Sequence, residues 1–429
     1  MKQLKFFLKI IVVISIFTLN SRFVCGASTE EVWLTPRDKD VMLPRLKTAD
    51  RAKIRIKKSR LGVVGVYQIS FSFQESEDQT KIYHVLIKPS RHDTIDQRMG
   101  SNIIRLFSPE APQMLLLNES EKSFFDSLLQ RNPAYQRKTA EWIVREDKDM
   151  SDDQSMAEVL ENDERDLVEI AAEIDNGELP FDLMWLEYQN GSSLAQLKMD
   201  DKIEAVLSTK NFRGICSIMA WDFLFLNYDR IKSSLIPGQI DPNSNLGNIL
   251  ISRSRKAVPI DQIIGVDEIS GEAVSEVLES VEKCLKFYQL ACEIEAEEFN
   301  NEKKCTEFFD SGNPVISLYT ELTLEGLSSE DQEITVKFIK RGLAAMLQTF
   351  VLVLEKKHDV LQAIEQTILE SEVEGSAEYD EIKERYEDFI DYFEELCTGL
   401  LENSIVQRKF KSLQPKSPGG LRKRKNNIE

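Results

Sequence analysis

Lys53-Ile-Arg-Ile-Lys57, Val66-Tyr-Gln-Ile-Ser-Phe-Ser-Phe73 and Tyr83-His-Val-Leu-Ile-Lys88 decide how this chain folds. The first two alternate polar and apolar residues with period two, the pattern of strands that give one face to a core. The third follows the second after the polar turn 75–80, a tight connection. The three segments therefore predict an antiparallel meander. Ser59-Arg-Leu-Gly62-Val-Val-Gly65 joins the first two and supplies two glycines to a strand-to-strand turn.

Outward from the meander, residues 93–107 place Ile95, Met99, Ile103 and Leu106 on one helical face, and Ser108-Pro109 stops that helix. Gln113-Met-Leu-Leu-Leu117 reads as a short strand and residues 121–130 as another helix. From Arg145 to Asn176 the chain is strongly acidic, which predicts a solvated helical insertion. Phe181-Asp-Leu-Met-Trp-Leu-Glu-Tyr188 returns as an apolar strand and ends in a turn at Gln189-Asn-Gly-Ser192. Residues 212–226 form a mostly apolar helix that runs into the polar cluster Asn227-Tyr-Asp-Arg230. A loop over 237–247 precedes two strands, Asn248-Ile-Leu-Ile251 and Ala257-Val-Pro-Ile260, the second leading into Asp261. Beyond about residue 270 the periodicity is helical. Ser328, Ser329 and Gln332 offer a capping box for a helix reaching about Lys357. Ile382, Phe389, Phe393, Leu396 and Leu400 line one face of a last helix over 382–408. The basic end, with its Pro-Gly-Gly, predicts disorder.

Composition narrows the function. The chain has 429 residues, 42% hydrophobic and 30% charged, a globular balance with room for two or three domains. Asp and Glu number 73 against 54 Lys and Arg, a net charge of −19 that repels phosphate backbones and argues against nucleic-acid binding. Three scattered histidines (His84, His92, His358) speak against a His-based zinc site or a Ser-His-Asp hydrolase. Lys2, Lys5 and Lys9 lead into the uncharged run 10–19, followed by small residues at 25–27. That order predicts a secretory signal peptide over 1–27, hence a secreted protein or one delivered to a host, with membrane contact only through the signal. An uncleaved signal would anchor the chain instead. The remaining cysteines (Cys216, Cys284, Cys292, Cys305, Cys397) are odd in number and irregularly spaced. They do not form a disulfide framework, although one bridge such as Cys292 to Cys305 stays open.

Phosphoryl transfer needs a glycine turn that lets backbone approach phosphates, a Lys to neutralise their charge and a carboxylate to orient the attacking hydroxyl. It also needs an amide and a second carboxylate for Mg2+. Mg2+ takes hard oxygen ligands, which Asp and Asn supply without any His. The chain offers these groups in order: Gly62 and Gly65 at the turn, Lys88 closing the meander, Asp229 after the apolar helix, Asn248 at a strand start and Asp261 at a strand end.

Leu226-Asn-Tyr-Asp-Arg-Ile231, Asn245-Leu-Gly-Asn-Ile-Leu250 and Pro259-Ile-Asp-Gln262 together resemble the catalytic core of the actin-fragmin kinase family. That family has a protein-kinase-like fold and stands near the phosphatidylinositol and HipA kinases. The resemblance spans about residues 53–265. It implies an α+β, two-lobed kinase-like fold with an antiparallel N-lobe sheet and a helical C-lobe extended by a helical C-terminal region. The N-lobe would then occupy 28–118, the acidic helical insertion 119–180, and the hinge and catalytic core 181–270. Helices of the C-lobe would fill 271–407, with the basic tail at 408–429. Carried over by residue, the resemblance makes Asp229 the catalytic Asp and Asn248 and Asp261 the Mg2+ ligands. Lys88 would contact the α- and β-phosphates of ATP under Gly62 and Gly65, and Leu186 to Tyr188 would form the hinge beside the adenine. In the helix after Lys88, Asp96 stands nearest the place of the family's Lys-pairing Glu. The implied activity is ATP- and Mg2+-dependent phosphorylation of Ser or Thr on a protein, for which actin is the family precedent. A phosphoinositide kinase and a non-catalytic nucleotide-binding scaffold are the competing readings.

Overall fold

A computed structural model describes residues 28–58, 65–76, 78–90, 94–147, 181–200, 202, 208–227, 246–254, 256–260, 264–265, 269, 271–297, 299–310, 313–323, 332–373 and 379–402. The predicted signal peptide at 1–27, the stretch 148–180 and the basic tail lie outside them. The described chain is α+β. In order it runs β1 (Ser28–Trp33), α1 (Lys39–Lys47), β2 (Ile54–Lys58), β3 (Tyr67–Ser76), β4 (Gln79–Ser90), α2 (Thr94–Phe107), β5 (Met114–Leu116), α3 (Glu119–Leu129) and α4 (Pro133–Asp147). Next come β6 (Asp182–Leu186), β7 (Gly191–Ser193), α5 (Leu194–Met199), α6 (Thr209–Leu224), β8 (Ile249–Ser252) and β9 (Ala257–Pro259). The remainder is helical: α7 (Ala273–Ala296), α8 (Glu302–Phe309), α9 (Pro314–Thr323), α10 (Gln332–Glu355), α11 (Lys357–Val373) and α12 (Tyr379–Glu402).

The chain divides into two compact units. The first comprises residues up to 58, 67–87 and 123–178. Its sheet contains the expected meander, with β2 antiparallel to β3 (Ile56 opposite Ile69) and β3 antiparallel to β4 (Phe71 opposite Tyr83). Period-two patterning sends Tyr67, Ile69 and Phe71 inward, each fully buried, while Gln68 and Ser70 sit on the other face against the His84 ring. β1 adds a parallel strand to β4. Its sequence shows no apolar alternation because it is held by cross-strand pairs: Glu30 with Lys81 at 3.2 Å, and the Trp33 ring on His84. Phe125, Leu128, Leu129 and Tyr135, from the part of the 119–180 stretch that the structure describes, are buried in this unit. The Tyr135 ring stands edge-on to Tyr67 at 5.4 Å.

The second unit comprises 59–66, 88–122 and 179–429. β5 and β6 pair antiparallel, with Met114 opposite Leu186. A separate small sheet runs β7-β8-β9. Gly191 and Ser192, expected within a turn over Gln189–Ser192, belong instead to the strand Gly191–Ser193, because Gly191 lies flat against β8. A Cβ there would stand 2.6 Å from the Ile251 carbonyl oxygen. α6 was expected over 212–226 and begins one turn earlier, since the Ser208 hydroxyl caps it by accepting from the Asn211 N–H. α6 packs on α10 through Phe212 and Phe338, whose rings stand 4.5 Å apart.

That packing depends on Gly342 in the middle of α10. A Cβ added there would stand 2.8 Å from both Cys216 Sγ and Phe212 Cε1. Gly342→Ala is expected to lower stability by about 1–3 kcal/mol through overpacking. The intrinsic helix preference for alanine, up to about 1 kcal/mol, does not offset this. Thermal denaturation of the variant checks it, and a higher melting temperature would contradict it. The five described cysteines are free thiols, so the Cys292–Cys305 bridge left open by the sequence is not formed. Burial pushes the Cys284 thiol up to about 12 and Cys397 to about 11, which keeps both protonated and unreactive at neutral pH.

Candidate functional site

Lys88 lies in the buried stretch of β4, residues 83–90, and is itself only 7% exposed. A buried ammonium needs acceptors, and its Nζ donates to Gln97 Oε1 at 2.9 Å. Gln97 lies one turn into α2 and is 2% exposed. The carboxylate expected nearest this place, Asp96, instead accepts from the Tyr386 hydroxyl and from Arg385 at 3.4 Å. Where Asp96 was expected to stand nearest Lys88, a bond from Lys88 to the neutral amide of Gln97 is described, and Asp96 is described with Tyr386 and Arg385. Thr94, Gln97 and Ser101 are all buried on α2 at helical spacing, and that short polar stripe was the readable signal for Gln97.

α2 is held from several sides within its unit. Arg98 pairs with Glu370 and Asn102 donates to Thr367 at 3.2 Å, both on α11, while Asp96 holds the helix to α12. At its other end Arg105 donates to the Ala111 carbonyl at 2.7 Å and meets the Glu187 carboxylate at 3.2 Å. Glu187 lies between Leu186 and Tyr188, the residues expected at the hinge. Its carboxylate accepts from the Gln113 N–H at 3.0 Å and its own N–H donates to the Gln113 carbonyl at 2.9 Å. Leu186 is buried and Tyr188 half-buried. The segment expected as the hinge is thus tied to the strand beside it and to the helix carrying Gln97.

Gln97→Leu removes this acceptor and keeps the bulk. It is expected to destabilise the protein by about 1–3 kcal/mol, the usual effect of deleting one partner of a buried polar pair. Gln97→Glu keeps an acceptor at the same place and is expected to restore most of that loss. Denaturant titration of both variants distinguishes this from a packing effect, under which Gln97→Glu would be the worse of the two.

The second part of the site forms where α6 ends. Leu226 adopts φ 54°, a left-handed conformation that costs a non-glycine residue roughly 1–3 kcal/mol. The Asn227 N–H donates back to the Asp222 carbonyl at 2.6 Å. Gly265 N donates to the Phe225 carbonyl at 3.1 Å, and a Cβ on Gly265 would lie 2.1 Å from the Leu226 carbonyl oxygen. Only glycine allows this approach. The chain that enters the Asp229 segment therefore touches the chain that leaves the Asp261 segment.

Asn248 ends a short 3-10 turn, Leu246–Asn248, and is 1% exposed. Its carbonyl accepts from the Ile260 N–H at 2.9 Å, the residue directly before Asp261. β8 and β9 continue this pairing, with Ile249 opposite Pro259. Asn248 and the approach to Asp261 are therefore adjacent. Asp229, Asp261 and Gly62 lie outside the described residues. Gly65 is described, and its φ of 86° is the left-handed conformation that the turn after β2 requires of a glycine.

A scan against protein-family models gives no match, and no curated protein sequence matches this chain.

Proposed function

We propose that this protein is an ATP- and Mg2+-dependent kinase with a two-lobed, protein-kinase-like fold of the actin-fragmin kinase type, phosphorylating Ser or Thr on a protein. One observation carries the reading. The three segments that resemble the family's catalytic core have flanks that meet in space, through Gly265 N to Phe225 O at 3.1 Å and Ile260 N to Asn248 O at 2.9 Å. The second and third segments are joined through the β8–β9 hairpin, and the Gly265–Phe225 bond, between residues 40 apart in sequence, brings the first segment's flank to theirs.

In this reading Asp229 accepts a hydrogen bond from the substrate hydroxyl, orients it in line with the γ-phosphorus and takes its proton as the bond forms. Lys88 is pre-positioned by Gln97 and donates to the α- and β-phosphates, holding the triphosphate in one conformation. Asn248 and Asp261 supply hard oxygen ligands, the donor type Mg2+ selects, and the burial of Asn248 keeps its side chain from competing water. When bound, the metal spreads the negative charge of the transferring group. Leu186 and Tyr188 flank the adenine. Gly62 and Gly65 let backbone N–H groups close over the phosphates.

The test is incubation with γ-labelled ATP, Mg2+ and a eukaryotic cell lysate, with protein and lipid fractions separated afterwards. Label on Ser or Thr of protein is the expected result. Label in the lipid fraction alone would assign a phosphoinositide kinase, and no label despite tight ATP binding would assign a nucleotide-binding scaffold.

A further inference from the structure

A groove in the second unit has no part in the site described above. It has a volume of about 580 Å3 and opens between α6 and α10. Lys210, Arg213, Ser217 and Trp221 recur at spacings of three and four along α6, so one face of that helix lines the groove. Leu352 of α10 and Phe107, the last residue of α2, complete an apolar wall. The Phe107 and Trp221 rings lie 6.0 Å apart, and Lys356 Nζ sits 5.8 Å from the Phe107 ring centre.

The groove's charge runs against that of the molecule. The chain carries −19, and a number of the described cations are paired with carboxylates, as Lys304 is with Glu293 and Glu297. Lys210 and Arg213 are exposed and have no carboxylate partner among the described residues. Among the described residues Arg213 donates to Gln348, at 3.2 Å. Two cations with no described carboxylate partner, beside an aromatic pair, together suit an anionic, partly apolar occupant.

We propose that this groove docks a short acidic segment of a partner protein, with an aromatic or large apolar side chain seated against Phe107, Trp221 and Leu352 and carboxylates on Lys210 and Arg213. The net charge selects this occupant over longer polyanions. Nucleic acid and an anionic membrane would bring charge over tens of ångströms against an acidic body, whereas a short segment feels chiefly the cations within a Debye length of about 8–10 Å. The inference is independent of phosphoryl transfer.

The test uses the full chain and a fluorescein-labelled hexapeptide alternating glutamate and phenylalanine, followed by fluorescence anisotropy at about 50 mM salt. Saturable binding is expected, weakened at least about tenfold by K210E/R213E and unchanged by Lys88→Ala. Because α6 belongs to the core, K210A/R213A is measured alongside and should give a smaller loss in the same direction with an unchanged melting temperature. Equal affinity for the wild type and both double variants would overturn the proposal. So would absence of saturable peptide binding, or tighter binding of an oligouridylate or of phosphatidylserine vesicles through the same two residues.

Discussion

Asp229→Ala is expected to lower phosphate incorporation by about 10^3-fold, within the range of 10^2 to 10^4 typical for removal of a positioned general base. Binding of ATP with Mg2+ is expected to stay within about twofold of wild type, because in this account Asp229 touches the hydroxyl and not the nucleotide. The two readouts must separate. A variant that loses both would make Asp229 part of the nucleotide site or of the fold, and one that loses neither would remove it from the chemistry. The segment's anchoring makes separation a reasonable demand. Leu226 and Asn227 are fixed from within, by the bond from Asn227 N to Asp222 O and by the Gly265 contact, so truncation two residues later leaves that scaffold in place.

Gly265→Ala carries the second large effect. The added methyl would lie 2.1 Å from the Leu226 carbonyl oxygen and 3.0 Å from the Leu226 Cβ, and backbone cannot rotate aside as a flexible side chain can. The two strands of chain must part by an ångström or more, breaking the bond from Gly265 N to Phe225 O. Stability should fall by about 1–3 kcal/mol. Activity should fall further than stability explains, by about 10^2-fold, since a displacement of about 1 Å at a catalytic junction has that effect. Gly271→Ala is the control, because a Cβ there meets nothing within 4 Å. Stopped kinetics and melting curves of the pair check this, and equal behaviour of the two variants would contradict it.

Much of the fold was legible, and for identifiable reasons. The meander could be read because Tyr67, Ile69 and Phe71 alternate with Gln68 and Ser70, so burial on one face is written into the period. α2 and the helices after residue 270 could be read from their apolar spacing, as with Phe389, Phe393, Leu396 and Leu400, all buried in α12. β1 was invisible because charge pairs and one Trp–His contact hold it, and such pairs leave no periodic mark. β7 was read as a turn because Asn-Gly-Ser usually makes one. Its strand pairing comes from β8, more than fifty residues away. The same limit applies at the site. Lys88 and Asn248 were singled out by their residue type and their place in the order of elements. Gln97 was passed over because a carboxylate was sought in its helix, and the choice between neighbouring Asp96 and Gln97 is a matter of helix rotation. The contact between Gly265 and Leu226 joins residues 39 apart in sequence and needs the left-handed turn at Leu226, which no local pattern announces.

The central claim is that Lys88, Asn248 and Asp261 form one Mg2+-dependent nucleotide site. The most direct measurement is the thermal shift given by millimolar ATP, with and without Mg2+, for the wild type, Lys88→Ala and Asp261→Ala. The account predicts a Mg2+-dependent stabilisation of the wild type, about 2.7 kcal/mol at a hundredfold excess over Kd, that is lost or sharply reduced in both variants. A shift of equal size in all three proteins, or none in the wild type, would contradict it.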